Sequence, residues 1–229
     1  MLSSFGVEFE AINVDADPAA LEELRRLGVP LVPAVAVGDR VVHGWNPKGV
    51  AELVGVAYVE RVRLQPVELV DRLDRILVAA QRALRQVPPD KLELKSPERD
   101  RTVRQLGYHL FRLSVAFPLA VEQNRLPEEW LTEPAPPFLS DGDALARYGE
   151  GVRARLAEWY HQAPGESFDW VVDTSCGPQT VWDLLERTAW HAAQHLRQLY
   201  ALLERIGITP DRPLTGTDFA GLPLPTSLW

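Results

Sequence analysis

The chain has 229 residues, of which 46% are apolar, so it can bury one or two hydrophobic cores. Its net charge is −8: residues 1–60 carry nine acidic and four basic side chains, and residues 61–229 carry twenty-three and twenty. This balance argues against a nucleic-acid partner. No run approaches the ~20 apolar residues of a membrane span, and one cysteine excludes an intrachain disulfide. We expect a soluble, cytoplasmic protein.

The first sixty residues have the alternation of a small α/β unit. EFEAINVD, residues 8–15, predicts a strand, and Asp17-Pro18 predicts a helix that runs to Gly28. PAVAVG and RVVHGW predict a hairpin with Gly38 and Asp39 in its turn, and PKGVAELVGV predicts a closing helix.

From Pro66 the pattern changes to long segments of helical period, so we place a domain boundary near 58–66. The predicted helices cover about 66–87, 102–124, 142–162 and 180–206, which indicates a four-helix bundle. The fold class is α+β, mainly α, with domains at 1–60 and 66–229. The proline-rich segment 126–142 predicts a surface connection. An irregular tail follows the last helix and can return to the bundle or to a second subunit through Phe219, Leu222, Leu224 and Trp229.

Three histidines occupy positions that fit one metal site. His191 and His195 are four residues apart, which places both on one helix face. The helices that carry His109 and this pair both begin at a threonine cap. At ~100° per residue from those caps, all three histidines point to the inward side of their helices. An HxxxH pair alone is a weak signal that more often serves packing, but three buried imidazoles would be costly without a metal.

The capped helix with His109, followed about eighty residues later by a capped helix with W-H-x-x-x-H-x-x-Q-L, resembles the DinB and YfiT superfamily of metal-binding bundles over about 66–206. The resemblance implies that His109, His191 and His195 are metal ligands, with zinc or nickel as the ion. It also implies a homodimer. Three neutral nitrogens leave coordination positions open, which is typical of a reactive site.

The N-terminal segment resembles the later part of a glutaredoxin, a thioredoxin fold. This resemblance implies a cis peptide at Val32-Pro33 whose backbone binds a thiol ligand, with Pro30 as a weaker alternative. The first strand and the low-pKa cysteine of that family do not precede it. We therefore expect that the coding start lies further upstream or that the unit has degenerated.

Together these features favour a metal-dependent thiol S-transferase or isomerase that joins a low-molecular-weight thiol to an electrophile. A metal-binding or stress-response module without turnover is the alternative, and a metal-dependent hydrolase is a second one. No general base is evident from the sequence, so no catalytic residue is assigned. Glu186, Arg187, Gln194 and Tyr108 lie near the histidines along the helices and are weak candidates.

Other chemically active side chains have plainer interpretations. We expect His43 on an exposed hairpin strand, His161 at a helix end where a cation is favourable, and Cys176 as an incidental loop residue. Trp182 and Trp190 are expected in an aromatic wall or core. Arg197 and Gln198 are expected to be structural.

Overall fold

The computed structural model describes the chain except residues 1, 13, 15, 16, 30, 31, 33, 45, 59–61, 98–100, 164–166, 176, 226, 227 and 229. It divides into two compact units. The first comprises residues 1–62 with 175–177, and the second comprises residues 63–174 with 178–229. None of the helices within the described residues is long and apolar enough to cross a membrane.

The first unit contains two helices and a hairpin, as predicted. Helix α1, Pro18–Arg26, begins at Asp17, whose carboxylate accepts hydrogen bonds from the next two free amides. Strands β1, Ala34–Val37, and β2, Arg40–His43, pair antiparallel around a two-residue turn. Helix α2, Pro47–Val54, closes the unit, and a single 3₁₀ turn at Leu2–Phe5 opens it.

The strand predicted at residues 8–15 is wrong for its described part. Residues 7–12 form no strand, and within the described residues of this unit the only sheet is the β1–β2 hairpin. Phe9 and Ile12 are both about half exposed. A strand needs a neighbouring strand to form hydrogen bonds with its backbone N–H and C=O groups. The alternation of residues 8–15 predicts an extended segment, but it carries no information on whether such a neighbour lies beside it.

The second unit is built on four long helices, close to their predicted bounds. They are α3, Pro66–Arg85; α4, Val103–Gln123; α6, Gly142–Gln162; and α7, Val181–Arg205. A 3₁₀ turn, Pro89–Lys91, follows α3. The proline-rich connection holds only a one-turn helix, α5, Glu129–Thr132, before Pro134.

The helices form an up-down-down-up bundle in which α3 and α4 occupy opposite corners and both pack against α6 and α7. The starts of α3 and α7 lie together, because the Trp182 indole donates to the Leu64 carbonyl at 3.1 Å. Helix α6 runs antiparallel to α3, since Arg85 at the end of α3 pairs with Asp143 in the first turn of α6 at 3.3 Å. It runs parallel to α4, since contacts join their starts and their ends.

A small three-stranded sheet that the sequence pattern does not predict precedes α7. Strand β4, Val171–Thr174, pairs parallel with β3, Arg125–Leu126, and antiparallel with β5, Gln179–Thr180. Such short strands carry no periodic signal, so pairing decides them. Because β5 continues directly into α7, the sheet sets where α7 begins.

The tail after α7 returns to the bundle. The guanidinium of Arg72 donates to the Asp218 carbonyl at 2.8 Å, and that of Arg82 donates to the Asp211 carbonyl at 2.8 Å. Phe219 and Leu222 are buried, and Leu224 packs against the core. The predicted return is therefore confirmed for these three residues, and Trp229 lies outside the described residues.

Candidate metal centre

Threonine caps set the rotational position of the two histidine-bearing helices, as predicted. The Thr102 hydroxyl accepts from the Gln105 amide at 3.1 Å, and the Gln105 side chain accepts from the Thr102 amide at 2.8 Å. The Thr180 hydroxyl accepts from the Asp183 amide at 3.1 Å. Each cap satisfies amides that the first turn leaves without a partner. The helical positions of the three histidines follow from these two starts.

The structure brings the three predicted histidine rings together. The ring centroids of His109 and His195 are 4.9 Å apart, and those of His191 and His195 are 6.0 Å apart with nearly parallel planes. His195 is buried, and the other two are half-buried. In the arrangement shown, no group of three or more His, Cys, Asp or Glu side chains among the described residues is placed to hold a metal ion. A shared ion would require the rings to turn about their side-chain bonds.

The chemistry of these side chains fits a metal ion. Burial, assisted by His195, Arg187 and His109, holds the pKa of His191 well below the ordinary histidine value. The His191 ring is therefore neutral at neutral pH and carries the lone pair that a metal ligand needs. His195 Nδ1 lies 2.8 Å from Gln198 Oε1, so Nε2 is the nitrogen that would bind the ion.

A small cavity of about 20 Å³ adjoins the cluster. His191, Arg187 and Phe117 contribute to its wall. This space can hold about one water molecule, so a larger substrate would enter only after side chains move. A second cavity of about 850 Å³ lies between α3 and α6 and is lined mainly by apolar side chains, with the Asp74–Arg153 pair beside it. None of the three clustered histidines lines this larger cavity.

Two of the weak catalytic candidates have structural partners. The Glu186 carboxylate is buried and lies 3.6 Å from the Arg63 guanidinium, which also pairs with Asp183 at 2.8 Å. Tyr108 faces α6, where its ring lies 5.4 Å from that of Tyr148. Both side chains therefore contribute to packing between elements.

The polar residues of α7 bind the tail, a role that the sequence pattern did not reveal. Gln194, Arg197 and Gln198 all donate to tail carbonyls, which agrees with the structural role expected for the last two. The Trp190 indole does the same, and its ring centroid lies 4.7 Å from that of His191. The signal available in the sequence was a row of polar residues on an otherwise buried helix.

The remaining predictions concern isolated residues. His43 is half-buried at the end of β2, not exposed as expected, and α2 packs against this strand. His161 lies in the last turn of α6, as expected. Val32 is exposed, while Pro33, Pro30 and Cys176 fall outside the described residues, so the thiol site of the resemblance stays a prediction.

Comparison with known proteins assigns both parts of the chain. The family model described as the DinB superfamily matches residues 68–199, and the family model described as Glutaredoxin matches residues 1–42. No curated protein matches the chain. The DinB match spans more than half of the chain and coincides with the four-helix bundle that carries the histidine cluster. The chain therefore belongs to the DinB superfamily, and a glutaredoxin-like segment precedes its bundle.

Proposed function

We propose that the protein is a metal-dependent thiol S-transferase or isomerase that uses a low-molecular-weight thiol. The observation that carries the proposal is the convergence of His109, His191 and His195 from two helices. The glutaredoxin-like segment supports thiol as the substrate class, because thioredoxin folds handle thiols and disulfides.

The histidines would hold a divalent ion such as zinc or nickel, with their neutral nitrogens as ligands. When bound, such an ion supplies a Lewis acid that lowers the pKa of a thiol. Arg187 lies close enough to His191 to lower its pKa, so its positive charge would favour an anionic substrate group there. In the transferase reaction, a sulfur–carbon bond forms to the electrophile, the thiol proton passes to solvent, and the leaving group departs with its bonding electrons.

The first test measures metal binding in protein purified without a chelating tag. We expect about one ion per chain, a stoichiometry that follows from one three-histidine site. His195→Ala should lower the affinity by more than the roughly 10–100-fold that loss of an outer partner costs. The control is His161→Ala, which removes an exposed histidine of α6 and should retain the ion. Equal metal content in both variants would overturn the assignment of the ligands.

The second test measures turnover of the metal-loaded protein. Glutathione, bacillithiol and mycothiol are supplied in turn with model electrophiles, and product is followed by mass spectrometry. We expect conjugation or isomerisation with one thiol, and its loss in His195→Ala. Absence of turnover with all three thiols would remove the enzyme assignment.

A metal-binding module without turnover is the second candidate. The small size of the cavity beside His191 favours it, because about 20 Å³ leaves no room for an electrophile. It predicts full metal occupancy with no product in the same assays. The two candidates therefore differ only in turnover.

A further inference from the structure

Tail residues 223–225 and 228, called the strap here, lie on α7 beside the histidine cluster. Its described carbonyls accept hydrogen bonds from four side chains of one helix face, and the distances lie between 2.6 and 2.9 Å. Pro223 and Pro225 fix their own backbone φ, which favours an extended segment. The four donors are Trp190 to Pro223, Arg197 to Pro225, and both Gln194 and Gln198 to Leu228.

The strap determines how the Gln198 amide is oriented. The Leu228 carbonyl can only accept, so the nitrogen of the Gln198 amide must face it, at 2.6 Å. The oxygen of the same amide then faces His195 Nδ1 at 2.8 Å. Gln198 is only 4% exposed, so water offers it little alternative. Because an amide oxygen only accepts, His195 must place its proton on Nδ1.

We propose that the strap, acting through Gln198, holds His195 in the tautomer with its proton on Nδ1 and its lone pair on Nε2. Gln198 and Leu228 are thus positioning residues, and neither contacts the reacting atoms. The purpose of this arrangement rests on the proposed metal function, because a ligand nitrogen must present its lone pair to the ion. The tautomer itself follows from the hydrogen bonds and does not depend on a metal.

The hydrogen bonds of the strap are linked to one another, which indicates that its residues bind α7 together. Arg197 donates both to the Pro225 carbonyl and to the Gln194 side chain at 2.8 Å, and Gln194 in turn donates to Leu228. Gln194 and Gln198 therefore share the Leu228 carbonyl as acceptor. The Arg197 guanidinium links Gln194 to Pro225 by donating to both. Loss of the strap would leave buried amide groups to find new partners, which favours rotation of Gln198.

The test is nitrogen-15 NMR of the histidine rings in the metal-free protein, at mildly alkaline pH where the rings are neutral. The two ring nitrogens have different shifts with and without a proton, so the spectrum reports the tautomer directly. The full chain should show His195 protonated at Nδ1. Gln198→Met and a chain ending at Leu222 should both show a mixture of the two tautomers.

Two tryptophan variants on the same helix provide the matched comparison. Trp190→Phe removes the donor to the strap at Pro223 and should partly shift the His195 tautomer. Trp182→Phe removes the same kind of donor, which binds Leu64, and should leave the tautomer unchanged. Circular dichroism checks that each variant keeps its helix content. An unchanged tautomer in the folded shortened chain, or Nε2 protonation in the full chain, would overturn the proposal.

Metal titration of the same variants separates this proposal from the proposed function. We expect Gln198→Met and the shortened chain to lose roughly 10–100-fold in metal affinity. If the full chain shows the expected tautomer and binds no metal, the proposed function fails and the positioning of His195 stands. If metal binds and the tautomer is not the one expected, the positioning proposal fails alone.

Discussion

At the scale of single residues, a polar network lies between α4 and α6. The rings of Tyr108 and Tyr148 lie 5.4 Å apart, and Arg112 pairs with Glu133 at 2.5 Å beside them. Burial is the main cause that raises the pKa of Tyr148 above the ordinary tyrosine value, and the neighbouring Tyr108 adds to it. Arg112 is itself buried and holds the end of α5 against α4. Arg112 acts in the opposite direction by lowering this pKa, but burial outweighs it, so the uncharged form of Tyr148 is favoured.

This network predicts that stability falls at alkaline pH. In the unfolded chain a tyrosine loses its proton near the ordinary pKa of about 10. Above that pH the folded protein still binds the Tyr148 proton and the unfolded chain does not, so stability decreases by up to about 1.4 kcal/mol per pH unit. Tyr148→Phe should reduce this slope, as measured by denaturant unfolding across the alkaline range. An identical slope in both proteins would contradict the prediction.

At the scale of elements, the end of α3 and the start of α6 approach closely at one glycine. A Cβ atom built on Gly142 would lie 2.0 Å from the Leu84 carbonyl oxygen, which belongs to backbone and cannot move aside cheaply. Asp141 caps α6 at the same point by accepting from the Ala144 amide at 2.7 Å. The contact that requires glycine joins residues far apart along the chain, so the sequence pattern does not show it.

Two glycine substitutions on α6 should have opposite effects. Gly142→Ala should lower the free energy of unfolding by about 3 kcal/mol, because the new methyl group overlaps backbone. Gly151→Ala meets nothing within 4 Å and should raise it by roughly 0.4–1 kcal/mol, because alanine restricts the unfolded chain. Denaturant unfolding of both variants measures the difference. Similar effects of the two substitutions would rule out the close approach at Leu84.

At the scale of the whole molecule, the two units have cores of very different size. Helix α1 buries none of its residues, and α2 buries only Val50, Ala51 and Leu53. The bundle has a continuous core to which all four long helices contribute, including Phe111, Phe117 and Leu184. Burial of apolar side chains is the main stabilising contribution in folding. Because the first unit buries far fewer of them, its core contributes much less stabilisation than that of the bundle.

Native-state hydrogen exchange should therefore be uneven along the chain. Amides of α1 should exchange through local opening at a small free energy, and those in the middle of α4 and α7 should exchange near the free energy of global unfolding. Mass spectrometry of peptides from each helix provides the measurement. Protection of α1 equal to that of α7 would show that the first unit is stabilised by contacts beyond its own core.

Much of the architecture follows from the sequence alone. Threonine caps, helical periodicity and the Gly38-Asp39 turn predict the long helices and the hairpin, because these signals act over a few neighbouring residues. The same periodicity predicts that His109, His191 and His195 face inward, since rotation along a helix is regular.

Tertiary structure alone decided the features that join residues distant along the chain. The three-stranded sheet before α7, the backbone contact at Gly142 and the distances among the histidine rings all depend on how helices and loops meet. The strap is the clearest case, because Gln198 receives its orientation from a carbonyl thirty residues later. Local propensity cannot encode such a contact, since its partners become neighbours only after the chain has packed.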